Sequence, residues 1–185
     1  ESVHQDVLIL EYLQNGKYRE AQTYFEKKIA ATKKKSKNRY TGIEVLNLML
    51  NYEIEQAEEK AIRVKCAVEA YHCPVDETEL CIIIGNLFDN AIEAVKDLPD
   101  EQRQIDFSIQ NPNGIFRIEM SNPYEDERRK VEHHYLTTKK ENTEMHGLGL
   151  MSVQKIVEKY DGLMEISDTD NVFKVIVIFF VRGND

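Results

Sequence analysis

A strongly apolar helix that carries polar side chains along one side constrains this chain more than any other feature. It lies around Asn86-Leu-Phe-Asp-Asn-Ala-Ile-Glu-Ala94. The pattern predicts one helix over residues 76–95, with Asp76 as its N-cap and Glu79 three residues on, a capping-box spacing just after Pro74. Leu80, Ile84, Leu87, Ala91 and Ala94 recur at helical spacing and form an apolar face. Asn86, Asn90 and Glu93 recur on another face. Amides this close to a core cost free energy unless they find partners. One possible partner is a metal–nucleotide complex. Phosphates already balance much of the charge of a Mg2+ ion, so a neutral amide oxygen completes its octahedron without repelling them, as a carboxylate would. The other reading is structural, with the amides capping neighbouring turns or bonding across helices.

A second motif, His146-Gly-Leu-Gly-Leu150, opens another amphipathic helix with Leu150, Val153, Val157 and Tyr160 along one face. Glycines just before a helix let backbone N–H groups approach an anion, and the helix N-terminus adds positive potential. A Gly-x-Gly alone is also an ordinary loop-to-helix turn. Downstream of an asparagine-bearing helix it is far more specific.

The pair resembles the N-box and glycine box of the ATPase superfamily shared by histidine kinases, gyrase-type topoisomerases, mismatch-repair ATPases and large heat-shock chaperones. Gly85-Asn-Leu-Phe-Asp-Asn-Ala-Ile-Glu-Ala94, Thr137-Thr-Lys139 and His146-Gly-Leu-Gly-Leu150 most resemble sensor histidine kinases of the peptide-sensing, quorum-sensing type. Leu13-Gln-Asn-Gly-Lys-Tyr18 and Thr41-Gly-Ile-Glu-Val-Leu46 resemble that family's upstream segments. The resemblance implies the cytoplasmic catalytic portion of a membrane-anchored two-component receptor. Such a portion uses ATP and Mg2+, works as a homodimer, and passes a phosphoryl group from a histidine to a response regulator.

Residue by residue, the resemblance implies that Asn90 coordinates Mg2+, that Asn86 orients the metal or its water shell, and that Glu93 holds water or ribose. Gly147, Leu148, Gly149 and Leu150 are expected to offer backbone donors to the phosphates. Lys139 is either a point charge near the β- or γ-phosphate or an exposed lysine of a lid. His146 either touches phosphate or caps its loop. Where the superfamily carries Asp-x-Gly for the adenine amino group, this chain reads Met120-Ser-Asn-Pro123, which puts Asn122 in place of the aspartate with no glycine after it. The phosphoacceptor candidate is His4, although the family's position falls at or just before residue 1. The acceptor is therefore His4 in a divergent setting or lies outside this sequence, and His4 is otherwise a surface histidine. Two other functions share the motifs: a non-catalytic nucleotide-binding and dimerisation switch, and a serine kinase of the anti-sigma type.

Residues 1–61 read as helical and are expected to form a dimerisation and phosphoacceptor-like segment, with 62–185 as the ATP-binding domain. Val7, Leu8, Leu10 and Leu13 precede Asn15-Gly16, which ends or kinks a first helix; Tyr18, Ala21, Phe25 and Ile29 stripe a second. Lys33-Lys-Lys-Ser-Lys-Asn38 reads as a solvated turn. A third helix, over 41–61, has Val45, Leu48, Met49 and Ile54 on its apolar side. A two-fold partner would complete a four-helix bundle; a hairpin folded onto its own ATPase domain is the alternative.

Strands are expected at Val64-Lys-Cys66 and Val68, at Ile105, Phe107 and Ile109, and at Phe116, Ile118 and Met120, with Asn111-Pro-Asn-Gly114 as a turn. A second hairpin spans 163–181 and turns at 168–171, its last strand apolar enough to be buried on both faces. The order predicts an α+β fold, a two-layer α/β sandwich in which a mixed, largely antiparallel sheet carries helices on one face. The polar stretch between Asn122 and Met145 reads as a lid over the nucleotide. His133-His134 inside it reads as solvated.

A formal net charge of −9 argues against a nucleic-acid-binding surface. Cys66, Cys73 and Cys81 lack Cys-x-x-Cys spacing and read as reduced thiols. No apolar stretch is long enough to span a bilayer; the membrane-embedded sensor that the resemblance implies would lie upstream. No leader is visible, and the start without Met suggests part of a longer protein.

Overall fold

The computed structural model describes residues 39–70, 72–124 and 148–181, together with Arg19. The described elements run α1 (Glu44–Glu58), β1 (Arg63–Glu69), α2 (Glu77–Val95), β2 (Gln104–Gln110), β3 (Ile115–Pro123), α3 (Leu148–Lys159), β4 (Leu163–Thr169) and β5 (Val172–Phe180). The strands form one sheet in the order β1-β2-β3-β5-β4. β1 and β2 are parallel, and the other pairs are antiparallel. The mixed, largely antiparallel sheet of an α+β sandwich is therefore present.

Side chains alternate strictly along β2 and β3 between a buried and a half-exposed face. The buried face joins the helices in one core, where Phe88 of α2 meets Phe107 of β2 with ring centroids 5.1 Å apart. The last strand departs from expectation. Phe173, Val175, Val177 and Phe179 are buried, but Phe180 is 50% exposed and the intervening side chains stay half-open. β5 is central in hydrogen bonding, yet the helices cover only one side of the sheet. On the open side Glu119 bridges Arg117 (2.5 Å) and Lys174 (2.8 Å) across β3 and β5.

α1 falls within the compact unit that holds the sheet; it buries Leu46, Leu50, Glu53, Ile54 and Ala57 and packs on α2 and β1. That stripe differs from the expected one of Val45, Leu48, Met49 and Ile54, because an acid occupies one of its buried positions. The start of α1 is tied down by Asn47, whose side-chain oxygen accepts from Tyr40 and Thr41 N–H at 2.8 and 3.0 Å. The Thr41 hydroxyl donates to the Ala70 carbonyl at 2.6 Å. The two helices expected earlier in the chain and the basic run lie outside the described residues, as does the expected lid between Asn122 and Met145 from residue 125 on.

Asp76 caps α2 as expected, its carboxylate accepting from Thr78 N–H at 2.8 Å. The capping box itself is altered. Glu79 does not reach back to the Asp76 N–H; the Tyr160 hydroxyl stands between them, accepting from Asp76 N–H at 3.2 Å and donating to Glu79 Oε2 at 2.5 Å. α3 ends in a turn where Asp161 is left-handed (φ 52) and Gly162 N–H donates to the Val157 carbonyl at 2.9 Å. A β-carbon on Gly162 would sit 2.6 Å from the Ile178 carbonyl, so only glycine fits. Asp170 and Asn171, both with positive φ (55 and 60), make the two-residue turn between β4 and β5.

Glu53 is 4% exposed, and its Oε1 faces Gly85 of α2. Burial, and then the nearby Asp89 charge, push its carboxyl up to about 8, against 4.5 for an ordinary glutamate. The folded state holds the extra proton between those values, so the contribution to stability is present below about 4.5 and is lost as pH rises towards 8. Urea unfolding of wild type and Glu53→Gln should therefore diverge with pH, the variant gaining relative stability between about pH 5 and about pH 8. A stability difference independent of pH would contradict the buried neutral acid.

Candidate functional site

The asparagine stripe of α2 meets the start of α3. The Asn86 side-chain nitrogen donates to the Ile82 carbonyl one turn earlier, at 2.7 Å, which fixes the amide's orientation. Its oxygen is thereby directed at Gly149: a β-carbon there would lie 2.5 Å from Asn86 Oδ1. The glycine motif thus does more than free a loop. It lets the first turn of α3 close directly on the amide of α2.

One turn along from Asn86, the Asn90 side-chain nitrogen is buried and has no hydrogen-bond partner among the described residues. A buried unpaired amide costs about 1–3 kcal/mol, so its retention calls for a ligand or a function. Glu93 continues the stripe but is exposed and paired with Lys96 at 2.8 Å. Asn122 is 3% exposed on the helix-covered face at the C-terminal end of β3, and its amide nitrogen donates to the Pro123 carbonyl at 2.9 Å. It is a buried strand residue and not the first residue of a loop. Leu150 buries its side chain in the core, which anchors the first turn of α3. The structure thus joins Asn86 to Gly149 and places Asn90 and Asn122 on elements of the same core. His4, Lys139, His146 and Gly147 lie outside the described residues.

Among the described residues no cluster of three His, Cys, Asp or Glu side chains could hold a metal. Neutral amide side chains suit a cation that brings its own anionic ligands, as Mg2+ does with phosphates. All three cysteines are free, and burial raises every thiol, Cys66 and Cys73 to about 11. They remain protonated at neutral pH.

Tyr124 was not foreseen as part of the frame. It is buried, its N–H donates to the Asn171 carbonyl at 3.1 Å, and its hydroxyl donates to Asp168. Burial, and then the bond to Asp168, push the phenol up to about 12. The chain leaving β3 is thus pinned to the β4–β5 hairpin. The alternation of Phe116, Ile118, Met120, Asn122 and Tyr124 carried that signal, since the inward period of two runs through to Tyr124.

The profile of the GHKL domain matches residues 75–179. A protein of Halalkalibacterium halodurans described as "Probable C4-dicarboxylate sensor kinase" is 26% identical over 106 residues, which is 56% of this chain and 20% of that protein. The chain thus spans about a fifth of the length of that curated relative. Among solved structures, a mycobacterial sensor histidine kinase is similar at a TM-score of 0.55 and 15% identity, covering 75% of this chain and 95% of that one. The Acinetobacter baumannii histidine kinase AdeS is similar at a TM-score of 0.56 and 12% identity, covering 97% and 96%. These likenesses establish a common fold with histidine kinase catalytic domains.

The contact between Gly149 and Asn86 makes a direct structural prediction. In Gly149→Ala the nearest obstacle is the tip of a short side chain, so the amide should rotate away and the helices should stay in place. The Asn86 side-chain NH2 resonances should shift, and stability should fall by only about 1 kcal/mol, the net worth of the lost bond to Ile82. An unmoved Asn86 resonance would show that the two motifs do not touch.

Proposed function

The chain belongs to the GHKL-domain family, and on that footing we propose that it is the Mg–ATP-binding catalytic part of a two-component sensor histidine kinase. The observation that carries this reading is the pairing of an oriented Asn86 oxygen against Gly149 with a buried, unpartnered side-chain nitrogen on Asn90. Neutral amides on a rigid helix, facing the start of a second helix, suit a metal that arrives already bound to phosphates. When bound, Mg–ATP supplies the transferable γ-phosphoryl group and the cation that offsets its developing charge.

Each residue then has a task. Asn90 gives its amide oxygen to the metal by a turn of its side chain, and Asn86 holds the metal's water shell. Backbone N–H groups of Gly147, Leu148, Gly149 and Leu150 face the phosphates, where the N-terminus of α3 favours negative charge. Lys139 adds charge near the terminal phosphates, and His146 closes the loop on them. Glu93, already neutralised by Lys96, is assigned to water or ribose. Asn122 accepts from the adenine amino group. The acceptor histidine is His4 or lies in sequence beyond this chain, the phosphoryl group passes on to a response regulator, and the enzyme works as a homodimer below a membrane-anchored sensor. The peptide-sensing type is read from residues 85–94, 137–139 and 146–150, with 13–18 and 41–46 as its upstream segments.

Asn90→Ala separates ligand binding from stability. Calorimetric titration should show Mg-dependent ATP affinity weakened at least about tenfold. Thermal unfolding should show a midpoint equal to wild type or higher, because a buried unpaired nitrogen has been removed. Unchanged ATP affinity would sink the assignment of Asn90.

A further inference from the structure

We propose that Glu79, Lys159 and Tyr160 are positioning residues of the nucleotide site, latching the far end of α3 to the start of α2 and so holding the phosphate-facing start of α3 over Asn86. The proposal rests on the function assigned above. The Glu79 carboxylate accepts from Lys159 Nζ at 2.8 and 2.9 Å and from the Tyr160 hydroxyl at 2.5 Å. The same hydroxyl accepts from the Asp76 N–H, so the capping box of α2 is completed by a residue of another segment. Lys159 is 61% exposed and solvent screens its share, whereas Glu79 is 19% exposed and holds the inner, charge-assisted bond to Tyr160. Consistently, Glu79 is held below the usual carboxylate range, first by Lys159 and then by Tyr160.

α3 acts as a lever between a close approach at one end and a hydrogen-bonded cluster at the other. Gly149 at one end closes on Asn86, and Tyr160 just beyond the other end closes on α2, roughly 16 Å away at 1.5 Å per residue. Between them Val153, Ile156 and Val157 supply buried apolar packing, which is non-directional and sets helix register loosely. The directional bonds of the far cluster fix the register, and the close approach of Gly149 to Asn86 is where a change of register is felt. Releasing the far contact lets the near end shift, and a displacement of about 1 Å is enough to cost about 100-fold in a positioned site. The latch thus ties the metal-facing amides of α2 to the phosphate-facing turn of α3.

Tyr160→Phe is the sharpest variant, because it removes the hydroxyl and keeps the ring edge-on to Phe179 at 6.0 Å. Glu79→Gln is the companion. Each should be titrated with ATP with and without Mg2+, beside an NMR spectrum of the ligand-free protein. The latch predicts that the gain in affinity on adding Mg2+ shrinks about five- to tenfold and that the Asn86 side-chain NH2 resonances move. A fall in melting temperature, with Asn86 resonances and Mg2+ gain both at wild-type values, would make the cluster a stabilising contact only and overturn the proposal. If wild type itself bound no ATP, the function assigned above would fall, and the Asn86 resonances alone would decide the latch.

Discussion

The fold depends on the burial of α2. Leu80, Ile83, Ile84, Leu87, Phe88, Ala91, Ile92 and Val95 wrap most of its circumference, held by α1, α3 and the sheet. A helix gripped on so many sides cannot rotate or slide without opening the core. Its narrow remaining stripe carries Ile82, Asn86, Asp89 and Glu93, with Asn90 at the edge. Those amides inherit the rigidity of the core, which is what a positioned metal site requires. The same burial explains how an unpaired nitrogen on Asn90 is tolerated: the surrounding apolar contacts outweigh its cost.

Everything else brings partners to that stripe. The sheet carries Asn122 to the end of β3, and the Tyr124–Asp168 and Tyr124–Asn171 bonds pin the chain where it leaves. α3 returns so that its N-terminal turn faces Asn86, with the favourable potential of a helix start added there. In the proposed site these neutral amides would recognise the cation and the phosphates together, each ligand strengthening the binding of the other.

Much of this was legible in the sequence because the signals were periodic. The helix over 76–95 and the hairpins at 111–114 and 168–171 follow from spacing and turn chemistry, and the joining of the two motifs was implied by the family resemblance. What was hidden was hidden for physical reasons. Ile83, Phe88 and Ile92 fall outside a single stripe, and their burial reflects a helix packed on several sides. Glu53 disguised the buried face of α1 by placing an acid on it. Glu79 has the spacing of a local capping box, but its partner comes from Tyr160, a contact of 81 residues' separation that local rules cannot see. The apolar composition of β5 signalled its central place in hydrogen bonding but could not reveal that one face lacks a covering layer.

The most direct measurement is calorimetric titration of the wild-type chain with ATP, with and without Mg2+, beside GTP. Binding selective for ATP and strengthened by the metal is the expected result if, as proposed, the amides of α2 and the first turn of α3 recognise metal and phosphates as one unit. No binding at millimolar ATP, or binding indifferent to Mg2+, would contradict it.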